Sequence, residues 1–280
     1  MQLLCNLHMM DNKINWIKDW VEELEKRGKI SFSFEEVLEA FPNHNGQAVK
    51  NALTRLTRKG KIISVWKGFY LIIPLQYYSM GILPANMFID QLMKHLNKEY
   101  YVCLLNAAAI FGSAHQSPQT YSVMIEPPSF RSTTKKGIQI NFYCRKQIPK
   151  EYLVSKNTPS GTIKVSSPEL TAADLILYEK NIGGLNRAAT VLSELAEEVD
   201  FKKNINSSFF GYFPLPVLQR LGYLLEEELE FESLANDLWN KIQKYGLKLR
   251  TVPLRNRKSI KDCPINKKWK VIINTQIEID

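Results

Sequence analysis

Apolar side chains at Ile14, Ile17, Val21 and Leu24 recur three or four positions apart between Asn12 and Arg27. That spacing puts them on one face of an amphipathic helix, and Gly28 supplies its stop. Ser33, with Glu36 three positions on, is a capping-box signature for a short second helix through Phe41. The run Pro42-Asn43-His44-Asn45-Gly46 then breaks the chain, because proline cannot continue a helix and Asn and Gly tolerate positive φ. A third helix is predicted from Gln47 to Lys59, with Val49, Ala52, Leu53 and Leu56 inward and Gly60 ending it. Beyond Gly60 the period changes. Ile62 to Trp66 and Phe69 to Ile73 are β-branched and aromatic runs joined by Lys67-Gly68, which reads as a β-hairpin closed by Pro74.

From Leu83 onward helical and strand patterns mix. Helices are predicted at 85–97, 102–111, 171–180, 185–199, 215–225 and 229–244, and strands at 120–126, 138–144, 161–165, 247–252 and 269–274. The fold class is therefore α+β (mixed α/β) in two domains, with the junction between Tyr77 and Pro84: residues 1–80 and residues 81–280. Three helices followed by a hairpin is the order of a winged helix-turn-helix, in which the third helix enters the DNA major groove.

Charge sharpens that reading. The 280-residue chain has a formal net charge of +9, which favours polyanionic partners because Lys and Arg on phosphates release condensed counterions. No acidic residue lies between Glu39 and Asp90. Opposite the apolar stripe of the third helix stand Gln47, Lys50, Asn51, Thr54, Arg55 and Arg58. Gln, Asn and Arg suit bidentate contacts to base edges, while Lys59, Lys61 and Lys67 suit phosphates. Trp66, Phe69 and Tyr70 read as packing within the wing. Further cationic stretches run from Glu126 to Glu151, with Arg131, Lys135, Lys136, Arg145, Lys146 and Lys150, and from Asp237 to Asp262.

Catalytic chemistry finds no pattern. Gly112-Ser113 before a strand ending at Glu126 resembles the start of a nucleotidyltransferase site, but such a site needs paired carboxylates for its metal, and Pro127 follows Glu126 at once. Gly183-Gly184 lacks the phosphate-loop pattern and reads as a turn. Neither His8, His44, His95 and His115 nor Cys5, Cys103, Cys144 and Cys263 have metal-ligand spacing, so no metal, cofactor or catalytic residue is expected. The cysteines read as reduced thiols packed as small hydrophobes. MQLLCNLHMM lacks the basic region of a signal peptide and no apolar run reaches the ~20 residues of a membrane span, so the expected location is cytoplasmic.

Five stretches, ALTRLTRKGKIISVWKGFYLIIP, LNAAAIFGSAHQSPQTYSVMIEPP, VSSPELTAADLILYEKNIGGLNRAATVLSELAEEVD, LQRLGYLLEEEL and NKKWKVIINTQIEID, are similar to the AbiE-type abortive-infection antitoxins. These form the antitoxin half of type IV toxin–antitoxin systems, and the resemblance covers nearly the whole chain. It implies a winged domain that represses its own promoter at inverted repeats. It also implies a second domain that counters a nucleotidyltransferase toxin encoded next door, with direct contact to that toxin left open. Asn186, Arg187, Gln219 and Arg220 lie beside the best-matching stretches and are the expected antitoxin surface, with helix surface or core anchoring as the alternative reading of the same residues. The reading is of a monomer, with pairing of two copies on DNA left open. The alternative is a winged-helix regulator whose C-terminal domain binds a small ligand or another protein.

Overall fold

The computed structural model describes residues 16–113 and 118–279. The expectations for Cys5, His8, His115, the leader and the start of the first helix lie outside those residues. Two compact units emerge. One comprises the described residues up to Glu99 with Phe130–Asn141 and Lys156–Ile163; the other holds Tyr100–Ser129, Phe142–Ser155 and the residues from Lys164 on. The expected boundary near residue 80 follows chain order, whereas packing groups residues 81–99 with the N-terminal part.

In the first unit, helix α1 (Trp16–Lys26) buries Ile17, Val21 and Leu24. Gly28, at φ +76°, lets the chain turn back so that the Gly28 and Lys29 amides donate to the carbonyls of Glu25 and Leu24. A short strand that periodicity did not reveal follows, β1 (Ser31–Ser33). Helix α2 (Phe34–Ala40) begins with the expected capping box: Ser33 Oγ accepts from the Glu36 amide at 3.0 Å, and Glu36 Oε2 accepts from the Ser33 amide at 2.6 Å. Helix α3 (Gly46–Arg58) is capped by Asn45, whose Oδ1 accepts from the Ala48 amide at 2.8 Å. Strands β2 (Ile62–Trp66) and β3 (Phe69–Ile72) form the hairpin, and β1 pairs antiparallel with β3, so the sheet order is β1-β3-β2. The hairpin aromatics pack as expected. Phe69 is buried, Tyr70 stacks on Phe32 with centroids 5.4 Å apart, and Trp66 meets Phe130 edge-on at 5.3 Å. Helix α4 (Ala85–His95) buries Phe88, Ile89, Leu92 and Met93.

The second unit begins with a correction. Val102, expected as the first residue of a helix over 102–111, instead ends strand β4 (Tyr100–Val102), and α5 is confined to Leu104–Ile110. Two tyrosines and a valine suit a fully buried strand, and an apolar run that short carries no decisive period. Strands β5 (Thr120–Ile125), β6 (Thr133–Lys135), β7 (Ile138–Cys144), β8 (Leu153–Thr158) and β9 (Gly161–Ser166) complete a sheet of order β6-β7-β5-β4-β9-β8, of which β6 and the stretches 138–141, 156–158 and 161–163 are residues of the first unit. In it β4 runs antiparallel to β5 and parallel to β9.

Helix α6 (Pro168–Leu177) is buried on nearly every side, with Ser167 as its N-cap and proline at its first position. Around it lie α7 (Leu185–Leu195), the single turn α8 (Phe201–Asn204), α9 (Leu215–Tyr223) and α10 (Glu232–Lys244). A π-helical turn, Leu224–Glu228, ends the expected 215–225 helix. The strands expected at 247–252 and 269–274 shrink to β10 (Val252–Pro253) and β12 (Val271–Ile272), joined by β11 (Ile265–Asn266) in a small sheet of order β10-β12-β11.

The C-terminal segment is locked to α9. Trp269 is fully buried, and a Cβ added to Gly222 would lie 2.1 Å from its Cη2. Its indole Nε1 donates to Glu226 Oε2 at 2.5 Å, and Lys268 bonds the other oxygen of that carboxylate. Gly222→Ala should therefore lower unfolding stability by about 1–3 kcal/mol or more, and Trp269→Ala by about 3–5 kcal/mol. In urea titrations the double variant should fall well short of the sum, because removing the ring removes the clash.

Candidate nucleic-acid interface

The face of α3 follows from its inward stripe. Val49, Leu53 and Leu56 are buried, so residues offset from them by a helical half-turn face outward. Gln47, Lys50, Asn51, Thr54, Arg55 and Arg58 are all exposed, as are Lys59 after the helix and Lys67 at the hairpin turn. Four of these side chains are partly committed within the helix or beside it. Gln47 Nε2 donates to Asn51 Oδ1 at 3.1 Å, Thr54 Oγ1 donates to the Lys50 carbonyl at 2.8 Å, and Lys50 Nζ sits 5.7 Å from the Phe34 ring centroid. Lys61 differs from the others. It is half-buried, its ammonium lies 5.3 Å from the Tyr78 ring centroid, and its pKa is raised, chiefly by the hydrogen bond with Tyr78.

Among the described residues, Arg55, Arg58, Lys59 and Lys67 have no carboxylate within ion-pair distance. By contrast, Lys18 in α1 pairs with Glu22 at 3.5 Å, and Arg27, directly after the helix, with Glu23 at 3.0 Å. Two guanidinium groups on one helix face, unneutralised and free to form bidentate pairs, make a surface chemically suited to base edges and phosphates. Trp16 stacks on His44 at 3.9 Å and meets Phe41 edge-on at 4.4 Å, so the turn between α2 and α3 is pinned to α1. That packing sets the direction in which α3 leaves the turn.

The four residues expected on an antitoxin surface have unlike positions. Gln219 is 1% exposed, and its Nε2 donates to the carbonyls of Arg250 and Trp269 at 2.8 and 2.7 Å, so its amide holds the C-terminal segment. Arg220 does similar work, donating to the Pro253 carbonyl at 2.9 Å and to Asn256 Oδ1 at 2.7 Å, and burial lowers its pKa. Arg187 is exposed. Asn186 is half-buried and lines a surface cleft with Arg255, Lys258 and Thr275.

Arg145 belongs to an expected cationic stretch, but the structure buries it to 8% exposure. Its Nη1 donates to the Tyr101 hydroxyl at 2.8 Å and lies 3.2 Å from Asp174 Oδ1; the Tyr101 hydroxyl in turn donates to Asp174 Oδ2 at 2.8 Å. Nη2 donates to the Tyr212 carbonyl at 3.3 Å, and the guanidinium lies 4.7 Å from the Phe213 ring centroid. Burial pushes Asp174 up, against the opposing pull of Arg145 and the Tyr101 hydrogen bond; burial also raises the Tyr101 hydroxyl and the Cys103 thiol well above their ordinary values. A thiol so placed stays protonated and packs as a small apolar group.

Gly112 ends α5 at φ +84°, and Ser113 is buried. Glu126 Oε1 accepts from the Ile148 amide at 3.0 Å. Among the described residues, no three His, Cys, Asp or Glu side chains are grouped to hold a metal ion, and no helix is long and apolar enough to cross a membrane.

Residues 100–227 match the family described as the AbiEi antitoxin C-terminal domain. Among solved structures, the chain is similar to the RV2827C protein from Mycobacterium tuberculosis, with a TM-score of 0.67 at 13% identity over 92% of this chain and 91% of that one. At that identity the likeness is one of fold. A second structure, an antigenic nucleotidyltransferase-like protein from Paracoccidioides brasiliensis, aligns with a TM-score of 0.35 at 12% identity over 55% of this chain and 90% of that one, too low to carry an argument. No curated protein matches the chain.

The two kinds of arginine predict opposite responses. Arg55→Ala and Arg58→Ala should leave urea stability within about 0.5 kcal/mol of the parent, because nothing folded depends on them. Arg145→Ala should cost about 3–5 kcal/mol, because it strands a buried carboxylate.

Proposed function

We propose, from the match of residues 100–227 to the AbiEi antitoxin C-terminal domain, that the chain is the antitoxin of a type IV toxin–antitoxin system and represses its own promoter. In this reading residues 1–80 are a winged helix-turn-helix, and α3 enters the major groove of promoter DNA carrying inverted repeats. The arrangement α1-β1-α2-α3-β2-β3, with a three-stranded antiparallel sheet, supports it. Arg55 and Arg58, with Gln47 and Asn51, are the base-reading candidates. Lys50, Thr54, Lys59, Lys61 and the hairpin's Lys67 position the protein on the sugar–phosphate backbone.

The observation that carries DNA binding is the unneutralised cationic face of α3. A surface that only keeps a protein dissolved interleaves both signs of charge. Here acidic residues are absent between Glu39 and Asp90, and Lys50, Arg55, Arg58, Lys59 and Lys67 of that stretch are exposed.

Residues 81–280 act against a nucleotidyltransferase toxin encoded beside this gene. Asn186 and Arg187 are the members of the expected antitoxin surface that the fold leaves accessible, whereas Gln219 and Arg220 support that surface through the C-terminal segment.

Two experiments test the reading. Fluorescence anisotropy on duplex DNA from upstream of the reading frame should show tight, salt-sensitive binding relative to scrambled DNA. Arg55→Ala and Arg58→Ala should each weaken operator binding by about 1–3 kcal/mol while sparing random DNA; equal losses on both DNAs would assign these side chains to phosphates instead. Co-expression with the neighbouring toxin should restore growth, and Arg187→Glu should reduce that rescue without changing DNA affinity. Full rescue by a folded Arg187→Glu variant would remove Arg187 from the antitoxin surface.

A further inference from the structure

We infer that His95, which lies outside residues 1–80, is a positioning residue for the hairpin: its imidazole holds the Lys67-Gly68 turn in the geometry from which Lys67 reaches a DNA phosphate. The inference rests on the DNA-binding reading above. His95 Nε2 lies 3.2 Å from the Lys67 carbonyl oxygen. A carbonyl can only accept, so Nε2 carries the proton and donates. The ring also packs on Phe69, with centroids 5.3 Å apart and planes tilted by 40°, and its atoms come within 3.7 Å of where a Cβ on Gly68 would stand. Gly68 sits at φ +74°, a region that residues with side chains rarely occupy, so the turn calls for glycine there, and glycine's own backbone freedom leaves the turn with mobility for His95 to restrain.

The grip has a firm base. His95 is the last residue of α4, and that helix is anchored by Phe88, Ile89, Leu92 and Met93, all at 0–1% exposure. The hairpin strands do not need it, because their register is set by the pairing of Ile62 with Ile72 and of Ile63 with Leu71, all buried. What His95 adds lies at the tip. It fixes the peptide plane between Lys67 and Gly68, and with it the point from which the exposed Lys67 side chain starts. A lysine on a fixed base loses less freedom when it meets a phosphate than one on a mobile turn. His95 itself need touch no DNA.

The test uses the full-length protein on the upstream duplex, with anisotropy over a range of salt concentrations, for His95→Ala, His95→Phe, His95→Gln, Lys67→Ala and the His95→Ala/Lys67→Ala pair. Phe keeps the ring packing and loses the donor; Gln keeps a donor at similar reach. Lys67→Ala should give a salt dependence shallower by about one. His95→Ala and His95→Phe should bind about twofold to tenfold more weakly, the equilibrium effect of one net hydrogen bond. Gln should restore most of the affinity, and His95→Ala should add nothing once Lys67 is gone. A purely structural role would instead lower thermal stability and leave the two losses additive. His95 variants that bind like the parent while Lys67→Ala weakens binding would overturn the brace and leave the DNA-binding reading standing. Parent-like binding by Lys67→Ala would take the hairpin out of the interface and overturn the brace with it.

Discussion

Helix α6 is buried on nearly every side, so each of its polar side chains has to find a partner inside the protein. Asp174 is the severest case: a carboxylate with no exposure is costly unless paired and hydrogen-bonded. Arg145 from the residue following β7 and Tyr101 from β4 meet it, and the same guanidinium reaches on to the Tyr212 carbonyl. Glu169, in the first turn of the helix, accepts from the Asp200 amide at 3.0 Å and from Asn204 Nδ2 at 2.9 Å. Thr171 shares a 2.7 Å hydrogen bond with Ser166. One helix thereby ties two strands of the sheet, α8 and the aromatic loop before α9 into a single register. An apolar α6 would bury as readily, but it would not specify which neighbours go where.

The C-terminal segment is held by the same principle applied in reverse. Here a long irregular stretch, poor in secondary structure of its own, brings backbone carbonyls that need donors. Gln219 and Arg220 on α9 supply them, Gly222 leaves room for the Trp269 ring, and the π-helical turn presents Glu226 to the indole and to Lys268. Residues chosen from sequence as an interaction surface prove to hold this segment in place, because a buried amide and an exposed one look alike in a sequence.

The outward face of α3 is under a different constraint. Its inner stripe is satisfied by apolar packing and its start by Asn45, so nothing inside the fold requires Arg55 or Arg58. Their lack of acidic partners reflects a feature visible along the chain, the absence of any carboxylate from Glu39 to Asp90. The structure adds which of those cations are free: Lys61 leans on Tyr78, whereas Arg55, Arg58 and Lys67 stand clear.

By itself the sequence determined what is local and periodic. It determined the amphipathic helices α1 and α3, the capping box at Ser33, the hairpin around Lys67-Gly68 and the charge segregation, because each depends on residues within a turn or two of one another. Only the tertiary structure decided that Tyr100 to Val102 are a strand, that Arg145 serves a buried carboxylate, and that Gln219 faces inward. It alone brought His95 to a carbonyl 28 residues earlier and Trp269 to Gly222. Those outcomes depend on desolvation and close packing between segments distant along the chain. A charge or an amide has no fixed meaning until its surroundings set whether water or protein must satisfy it.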